Sequence, residues 1–486
     1  MDRPSLRYLW QALNQHAIIS ISMPFVIGLG VQAAFKSSSE WVEVFVPTAR
    51  ALQAGGDIYS GGGYWYPPFM AMMIIPFGPL PELAARLGWF AINVACIVGL
   101  VRSAWLLGGG STLAPIRAFP GKVDTGFPKG NATTLESRAL SGRDLSDLTV
   151  NLNGKRSSAQ TRRDWAVAGA GIVCSASYIL NALAHQQVDV IIAFLTVAGC
   201  LLLVRGRNIS GAVLIGLAAA CKGPPLLFAA YLVFRRNWLA AGLIALVSVG
   251  VNFLPDLVIP APGGTPRLVA WVERFVVPSF SGQLGAWNGL GTANQSLAGT
   301  VQRMFTTTLQ STSSGLSYVT GFRQIPEVWI KVSAYGLMLA LLVTSIVAGL
   351  RGQDFARAGP DAVRFPSHTA LELSAVSVLM LLMSPMSDLA HLGPTILPAF
   401  CLARIAIFRG DRIIGATLVV AAVGALVVNK DLIGDTGYTV VLWVGVATLS
   451  MLALWGGCVT ALARGYGEPP VGGFAISVFP FFGGRH

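Results

Sequence analysis

The stretch "HQQVDVIIAFLTVAGCLLLVRGRNISGAVLIGLAAACKGPPLLFAAYLVFRR" (185–236) decides how this chain folds. Its first half, Val188–Val204, is apolar apart from Asp189 near its start and Thr196, and is closed by Arg205 and Arg207. A membrane span needs about 20 such residues. The second half, Ile209–Phe234, reads as another helix, except that Cys221-Lys222-Gly223-Pro224-Pro225 stands at its centre and Arg235-Arg236 follows it. Loops rich in Lys and Arg stay on the cytoplasmic side of a membrane. If both basic clusters obey that rule, the chain goes out and returns between them, as two half-spans meeting near Lys222. The other reading is one continuous span with a proline kink. Broken helices occur at membrane depth where they line a cavity, so Lys222 is a candidate for chemistry from the outset.

Composition agrees with a lipid-embedded bulk. Of 486 residues, 53% are hydrophobic and 12% charged, whereas soluble domains carry about 25% charged residues. The net charge of +12 is accounted for by basic cytoplasmic loops. The aromatic–basic interleaving of a nucleic-acid groove is absent, so no nucleic-acid partner is expected. The six cysteines contain no CxxC pair and sit in or beside apolar stretches, as small core residues do.

Working outward, apolar spans are expected at His16–Phe35, Leu83–Leu107, Trp165–Ala184, Trp238–Pro255, Val328–Leu350, Leu371–Met386, Leu392–Phe408, Ile413–Val428 and Tyr438–Ala463. Pro67–Pro81 is apolar but too short and Pro-broken to span. The run after the basic Met1–Gln15 segment lacks a cleavage site and reads as a retained helix. The result is an all-α polytopic membrane protein with about 12 crossings and both termini cytoplasmic. Its sections are 1–107, a first pair of spans with an outer loop over 36–82; 108–164, a flexible cytoplasmic loop; 165–463, a membrane core with an outer loop over 256–326; and 464–486, a cytoplasmic tail. The cytoplasmic side then holds Arg3, Arg7, Arg205, Arg207, Arg235, Arg236, Arg351, Arg357, Arg364, Arg409, Arg412 and Arg464. The outer side holds Glu40, Glu43, Asp57, His185, Lys222, Asn294, Asp388, His391, Asp431 and Asp435.

Chemistry-bearing residues collect on that outer side. Glu40, Trp41 and Glu43 open an amphipathic helix ending near Gln53, followed by Gly56-Asp57, Tyr59 and Tyr64-Trp65-Tyr66-Pro67-Pro68. A carboxylate at the membrane boundary suits a base for a sugar hydroxyl; the same stretch also reads as an acidic turn with an aromatic anchor. His185-Gln186-Gln187, with Asp189 just behind, is either a binding turn or a polar helix connection. Lys222, an isolated lysine in an apolar run, is functional by default and suits a phosphate; a snorkelling lysine is the alternative. From Ala286-Trp287-Asn288 to Asn294-Gln295-Ser296 and Arg303 run amides that both donate to and accept from sugar hydroxyls. Ser384-Pro385-Met386-Ser387-Asp388, with His391 beyond, forms a broken helix end fit for an anion, although a lone His often only packs or caps. No metal-ligand spacing, Walker loop or GxSxG elbow occurs, and the 108–164 loop lacks the alternating strand–helix pattern of a nucleotide-sugar domain. Neither cofactor nor metal is expected.

These places, in this order, resemble glycosyltransferase family 87. The matching stretches are "ARALQAGGDIYSGGGYWYPPF" (Ala49–Phe69), His185–Leu227, "NQSLAGTVQR" (Asn294–Arg303) and "SPMSDLAHLGPTILP" (Ser384–Pro398), within Trp41–Phe408 overall. The resemblance implies a GT-C fold, with an outer-face site that transfers a sugar with inversion from a polyprenyl-phosphate donor, without a nucleotide. It implies a glycolipid or envelope-glycan acceptor, most often a mannosyl product, and a plasma-membrane location. By that reading Glu40 or Glu43 is the base. Lys222, His391 and Arg303 hold the donor phosphate. Asp57, Tyr64, Tyr66, His185, Gln186, Asn294, Gln295 and Asp388 meet the sugars. The chain departs from the pattern in three places. Gapless pairing from Asp57 puts Trp41 where the family has an aspartate, and a one-residue shift is needed to bring Glu40 there. The family's Gly-Gln-x-Asn appears as His185-Gln186-Gln187-Val188-Asp189, which only partly fits. Of a paired His-His only His391 remains. An inactive member is one alternative. A transporter or flippase of a lipid-linked sugar is another, but it predicts inverted halves, and no internal repeat is visible.

Overall fold

The computed structural model describes residues 26–36, 38–61, 63–110, 158–280, 291–311, 317–352 and 364–468. Arg3, Arg7, Arg357, Ala286-Trp287-Asn288, the bulk of the 108–164 loop and the tail beyond Glu468 lie outside the described residues. In chain order the helices are α1 (Val26–Phe35), α2 (Val46–Gln53), α3 (Pro68–Ile74), α4 (Glu82–Leu107), α5 (Ser158–Val173), α6 (Ala176–Ala184), α7 (Asp189–Val204), α8 (Asn208–Cys221), α9 (Leu227–Phe234), α10 (Trp238–Gly250), α11 (Leu254–Val258), α12 (Arg267–Trp271), α13 (Val277–Phe280), α14 (Leu297–Phe305), α15 (Glu327–Gly352), α16 (His368–Leu382), α17 (Ile396–Arg409), α18 (Arg412–Val427), α19 (Lys430–Val444) and α20 (Val446–Ala463). Among the described residues one hairpin, β1 (Thr308–Ser311) with β2 (Ser317–Thr320), interrupts this all-α pattern.

Among the described residues, five helices are long and apolar enough to cross a membrane, and up to seven if each of two bent pairs counts as one span. Shorter apolar helices of 10–17 residues, α7, α8 and α16 among them, stand between these. The chain is a multi-pass membrane protein. Burial sorts its helices: the stretch Leu389–Arg409 is 78% buried inside the protein, while Glu327–Arg351 is only 28% buried. Val328, Val332, Tyr335, Leu339, Val343 and Val347 of α15 are all exposed and repeat at three- and four-residue steps along one helix face. In a membrane protein, such an apolar stripe faces lipid.

At Lys222 the helix breaks, with φ −160° and ψ 121° at that residue. Gly216 of α8 abuts Ile244 and Val247 of α10, and Ala220 accepts from Asn252 Nδ2 at 3.1 Å. Contacts therefore advance together along α8 and α10, so the two run parallel and α9 carries the chain back between them. Pro224 and Pro225 make the return, since neither has an N–H for a continuing helix. Helices α7 and α8 approach closely at two glycines. A Cβ on Gly211 would lie 2.9 Å from the Gly199 carbonyl oxygen, and a Cβ on Gly199 would lie 2.9 Å from that of Gly211. Small residues at helix contacts allow this in membranes.

The expected single span Tyr438–Ala463 is two helices. Gly445 breaks it at φ 78°, a conformation glycine adopts freely. Helix α19 is bent 97° from α18 and packs against α14 and the start of α20. The expected Trp165–Ala184 span is likewise bent, by 49° between α5 and α6.

Many of the residues assigned to the cytoplasmic side cluster at one end of the bundle. Arg404 binds Asp164 (2.6 Å) and the Gly108 carbonyl. Arg235 pairs with Glu372. Arg409 lies over the Phe365 and Tyr466 rings, and Arg464 pairs with Asp411. Basic residues are not confined there. Arg86 pairs with Glu82 and caps the Lys36 carbonyl, and Arg267 pairs with Asp256. Each of these has a local acid that neutralises it. Gly211→Leu is expected to lower thermal stability by about 1–3 kcal/mol through overpacking. Gly242→Leu on α10, with nothing within 4 Å of its Cβ position, should leave it unchanged. Melting of the detergent-solubilised protein checks both.

Candidate active site

Three chain breaks converge at the end of the bundle opposite the Arg404 cluster. One is the turn into α7, where Asp189 occupies the first helical turn. The second is the end of α8, where Lys222 follows. The third is the Ser384–Asp388 segment between α16 and the short 3-10 turn Leu389–Thr395, which carries His391. Lys222 Nζ donates to Asp189 Oδ1 at 2.7 Å, and His391 Nε2 lies 4.0 Å from the same oxygen. Asp189, Lys222 and His391 line one cleft together with Ser384 and Ser387, and Ile192, Pro225, Met380 and Leu381 supply apolar walls. Its free volume is about 20 Å³, room for about one water, so a larger ligand enters only as the cleft widens. The Tyr66 ring lies 5.2 Å beneath the Lys222 ammonium, a cation–π contact.

Glu40 joins this cluster through Gln187, whose Nε2 donates to Glu40 Oε1 at 2.6 Å. Burial raises its carboxyl to about 7, and the charges of Asp189 and Asp388 push the same way; the Gln187 hydrogen bond and Lys222 oppose them. The loop is held by Gln186. Its side chain accepts from Ser39 Oγ (2.7 Å) and donates to the Ala33 carbonyl (2.6 Å), while its own carbonyl accepts from Trp89 Nε1 (3.0 Å). Gln186 adopts φ 54°, a left-handed conformation that costs a side-chain-bearing residue about 1–3 kcal/mol. The three hydrogen bonds hold it there. Trp41 stacks on Trp89 with centroids 4.6 Å apart, seating the start of the outer helix.

Other expected site residues stand apart from the cleft. Glu43 is exposed and accepts from Ser38 Oγ at 2.6 Å. Asp57 is exposed and caps its own turn, accepting from Tyr59 N at 2.9 Å. Tyr64 is buried, with its hydroxyl donating to the Pro67 carbonyl at 2.9 Å. His185 is exposed at the end of α6. Arg303 is buried and does not line the cleft. Its guanidinium donates to the carbonyls of Gly291, Asn294 and Leu442. Asn294 and Gln295 are fully buried and bind the site's frame: Asn294 Nδ2 donates to the Pro385 carbonyl at 3.0 Å, Ser387 N donates to Asn294 Oδ1 at 3.2 Å, and Gln295 N donates to the Ser387 carbonyl. Asp388 caps the turn that holds His391, accepting from Ala390 N at 2.9 Å. Its backbone N–H donates to His391 Nδ1 at 3.1 Å. With Nδ1 as acceptor, the imidazole proton belongs on Nε2, the nitrogen nearer Asp189. The side-chain polar atoms of Gln186 and Asn294 are engaged by the protein itself; Gln295 Nε2 donates to the Thr292 and Leu442 carbonyls, while its Oε1 has no partner among the described residues.

Two members of the cluster, Gln187 and Asp189, were not among the expected site residues. A signal existed for Asp189: a carboxylate opening an apolar helix calls for a buried cation, and Lys222 is the cation that faces it. Glu40 yields a pH prediction. Its folded-state pKa is raised above 4.5 to about 7. The stability linked to its proton is therefore fully present below about pH 4.5 and lost as pH rises through about 7. Glu40→Gln, which cannot ionise, is expected to be more stable than wild type above pH 7, with the gain fading toward pH 5. Thermal melts across that range check it.

Trp41–Phe45, just after Glu40, is a π-helical turn leading into α2. A family model for glycosyltransferase family 87 matches residues 64–385, more than half of the 486-residue chain. Lys222 and Asp189 fall inside the match, and Glu40 and His391 flank it. No curated protein and no solved structure matches the chain. The chain belongs to glycosyltransferase family 87 and is a membrane glycosyltransferase.

Proposed function

We propose that the protein transfers a hexose, mannose in the first instance, from a polyprenyl-phosphate donor to a hydroxyl of a glycolipid or envelope glycan. The reaction takes place on the extracytoplasmic face of the plasma membrane, with both termini cytoplasmic. The observation that supports this is the meeting of Lys222, Asp189 and His391 at one cleft, with Glu40 joined to them through Gln187, from four separate chain segments. The donor's tail stays in the bilayer and its headgroup enters the cleft. The acceptor oxygen attacks the anomeric carbon opposite the phosphate and loses its proton to Glu40. The bond from that carbon to the phosphate oxygen breaks, and the electron pair leaves with polyprenyl phosphate. Configuration at the carbon inverts.

Lys222 and the Nε2–H of His391 are the donors available to the leaving phosphate, where negative charge grows during the step. Glu40, with its carboxyl near 7, is matched to proton transfer at neutral pH, as an efficient general base requires. Tyr66 underlies the ammonium and supplies a sugar-facing ring. Asn294, Gln295 and Arg303 act at one remove, by fixing the segment that presents Asp388 and His391. Membranes supplied with polyprenyl-phosphate mannose test the assignment. Glu40→Gln is expected to lose about 10²–10⁴-fold in transfer, while Glu43→Gln stays near wild type. Equal rates for all three would remove Glu40 as the base. Wild-type transfer should rise with pH through about 7 and then level off, because the base works only when ionised. Lys222→Met should lower transfer by about 10²–10³-fold, measured as initial rate at saturating donor.

A further inference from the structure

Asp189 uses its two carboxylate oxygens unequally. Oδ1 accepts from the Lys222 ammonium, whereas Oδ2 is buried and has no hydrogen-bond partner among the described residues. The side chain is 3% exposed. Buried polar atoms are almost always paired, and a carboxylate oxygen left without a donor is destabilising. His391 Nε2, 4.0 Å from Oδ1, does not bond to Oδ2. The residue lines the cleft that holds Lys222 and His391, so a ligand entering there is the remaining source of a donor.

We propose that Asp189 is a sugar-binding residue: while Oδ1 holds Lys222, Oδ2 accepts a hydrogen bond from a ring hydroxyl of the transferred sugar. This deepens the transferase reading and rests on it. An ionised carboxylate only accepts. A phosphodiester anion has no proton to give it and is repelled by it, whereas a sugar hydroxyl donates. The charges in the cleft therefore orient the donor. Phosphate goes to Lys222 and His391, and the sugar turns a hydroxyl toward Asp189. The residue selects for a hydroxyl at that ring position and against a sugar that lacks it.

Binding to the full-length protein in lipid nanodiscs tests this with three probes: polyprenyl phosphate, polyprenyl-phosphate mannose and its monodeoxy analogues. In wild type, one deoxy analogue is expected to bind about tenfold or more weaker than its parent, because the site's acceptor is left unpaired. Asp189→Asn should bind polyprenyl phosphate at least as well as wild type, since a negative charge has been removed. It should lose affinity for the mannosyl donor and no longer distinguish that donor from the deoxy analogue. If the residue only braces Lys222, the variant weakens polyprenyl phosphate and every sugar donor alike, and the same deoxy penalty persists; that result overturns the assignment. If Asp189→Asn does not yield folded protein, Asp189→Glu carries the comparison. It retains the charge but shifts the oxygens by one methylene, and an unchanged deoxy penalty again overturns the proposal. Wild type that binds polyprenyl phosphate but gains nothing from the sugar overturns the Asp189 assignment alone. Wild type that binds none of the probes overturns the donor reading and this inference with it.

Discussion

The Lys222–Asp189 ion pair, closed at 2.7 Å where α8 ends and α7 begins, is the constraint on which the site depends. The Asp189 carboxylate, 3% exposed, needs the cation, since removing one partner of a buried pair strands the other; Lys222, 19% exposed at the cleft, can keep its charge with a bound anion in place of the carboxylate. Together the two residues fix the end of α8 against the start of α7. The end of α8 suits the pair: the residue just after the helix, Lys222, delivers the ammonium in an extended conformation, and two prolines send the chain back. A break in a membrane helix leaves backbone groups without partners unless other protein segments supply them. Here Asn252 does part of that, donating to the Ala220 carbonyl at 3.1 Å while accepting from Phe69 N at 2.9 Å.

Around this pair the remaining site parts are held by framework residues that never enter the cleft. Gln186 ties the outer loop to the turn before α7, and so places Glu40 beside Gln187. Asn294 and Gln295 grip the Ser384–Asp388 segment, and Asp388 in turn grips His391. At the far end, Arg404–Asp164 joins α17 to α5 and Arg235–Glu372 joins the end of α9 to α16. Helix α16 is thereby held at both ends, by Glu372 at one and by the Asn294 contacts to the segment beyond the other.

Much of this was legible in the residues. The break at Lys222 follows from a charge and two prolines inside an apolar run. The outer helix ending at Gln53 follows from the glycines after it. What the pattern did not reveal is which polar residues face the cleft and which face the protein. Asn294, Gln295 and Arg303 have the chemistry of sugar and phosphate ligands, yet their atoms are engaged by carbonyls of the Pro385 segment, Gly291 and α19. That pairing depends on α19 turning across the bundle. The turn is set by Gly445 at φ 78°, and a glycine inside an apolar run carries no mark of the sign of its φ. Nor did spacing distinguish Glu40 from Glu43, because the intervening π-helical turn changes which side chains share a face.

The cleft brings together a carboxylate near neutrality, an ammonium and an imidazole, from segments that are far apart in the chain. Its apolar walls are formed by α7, α16 and the prolines of the α8–α9 return. That combination sets charged groups beside an apolar flank. The most direct measurement is an electron cryomicroscopy map of the protein in nanodiscs with a polyprenyl-phosphate sugar bound. The account predicts phosphate density between Lys222 and His391, with the sugar lying between that phosphate and the Glu40 carboxylate. Phosphate density elsewhere, or Glu40 and His391 opening toward opposite leaflets, would contradict it.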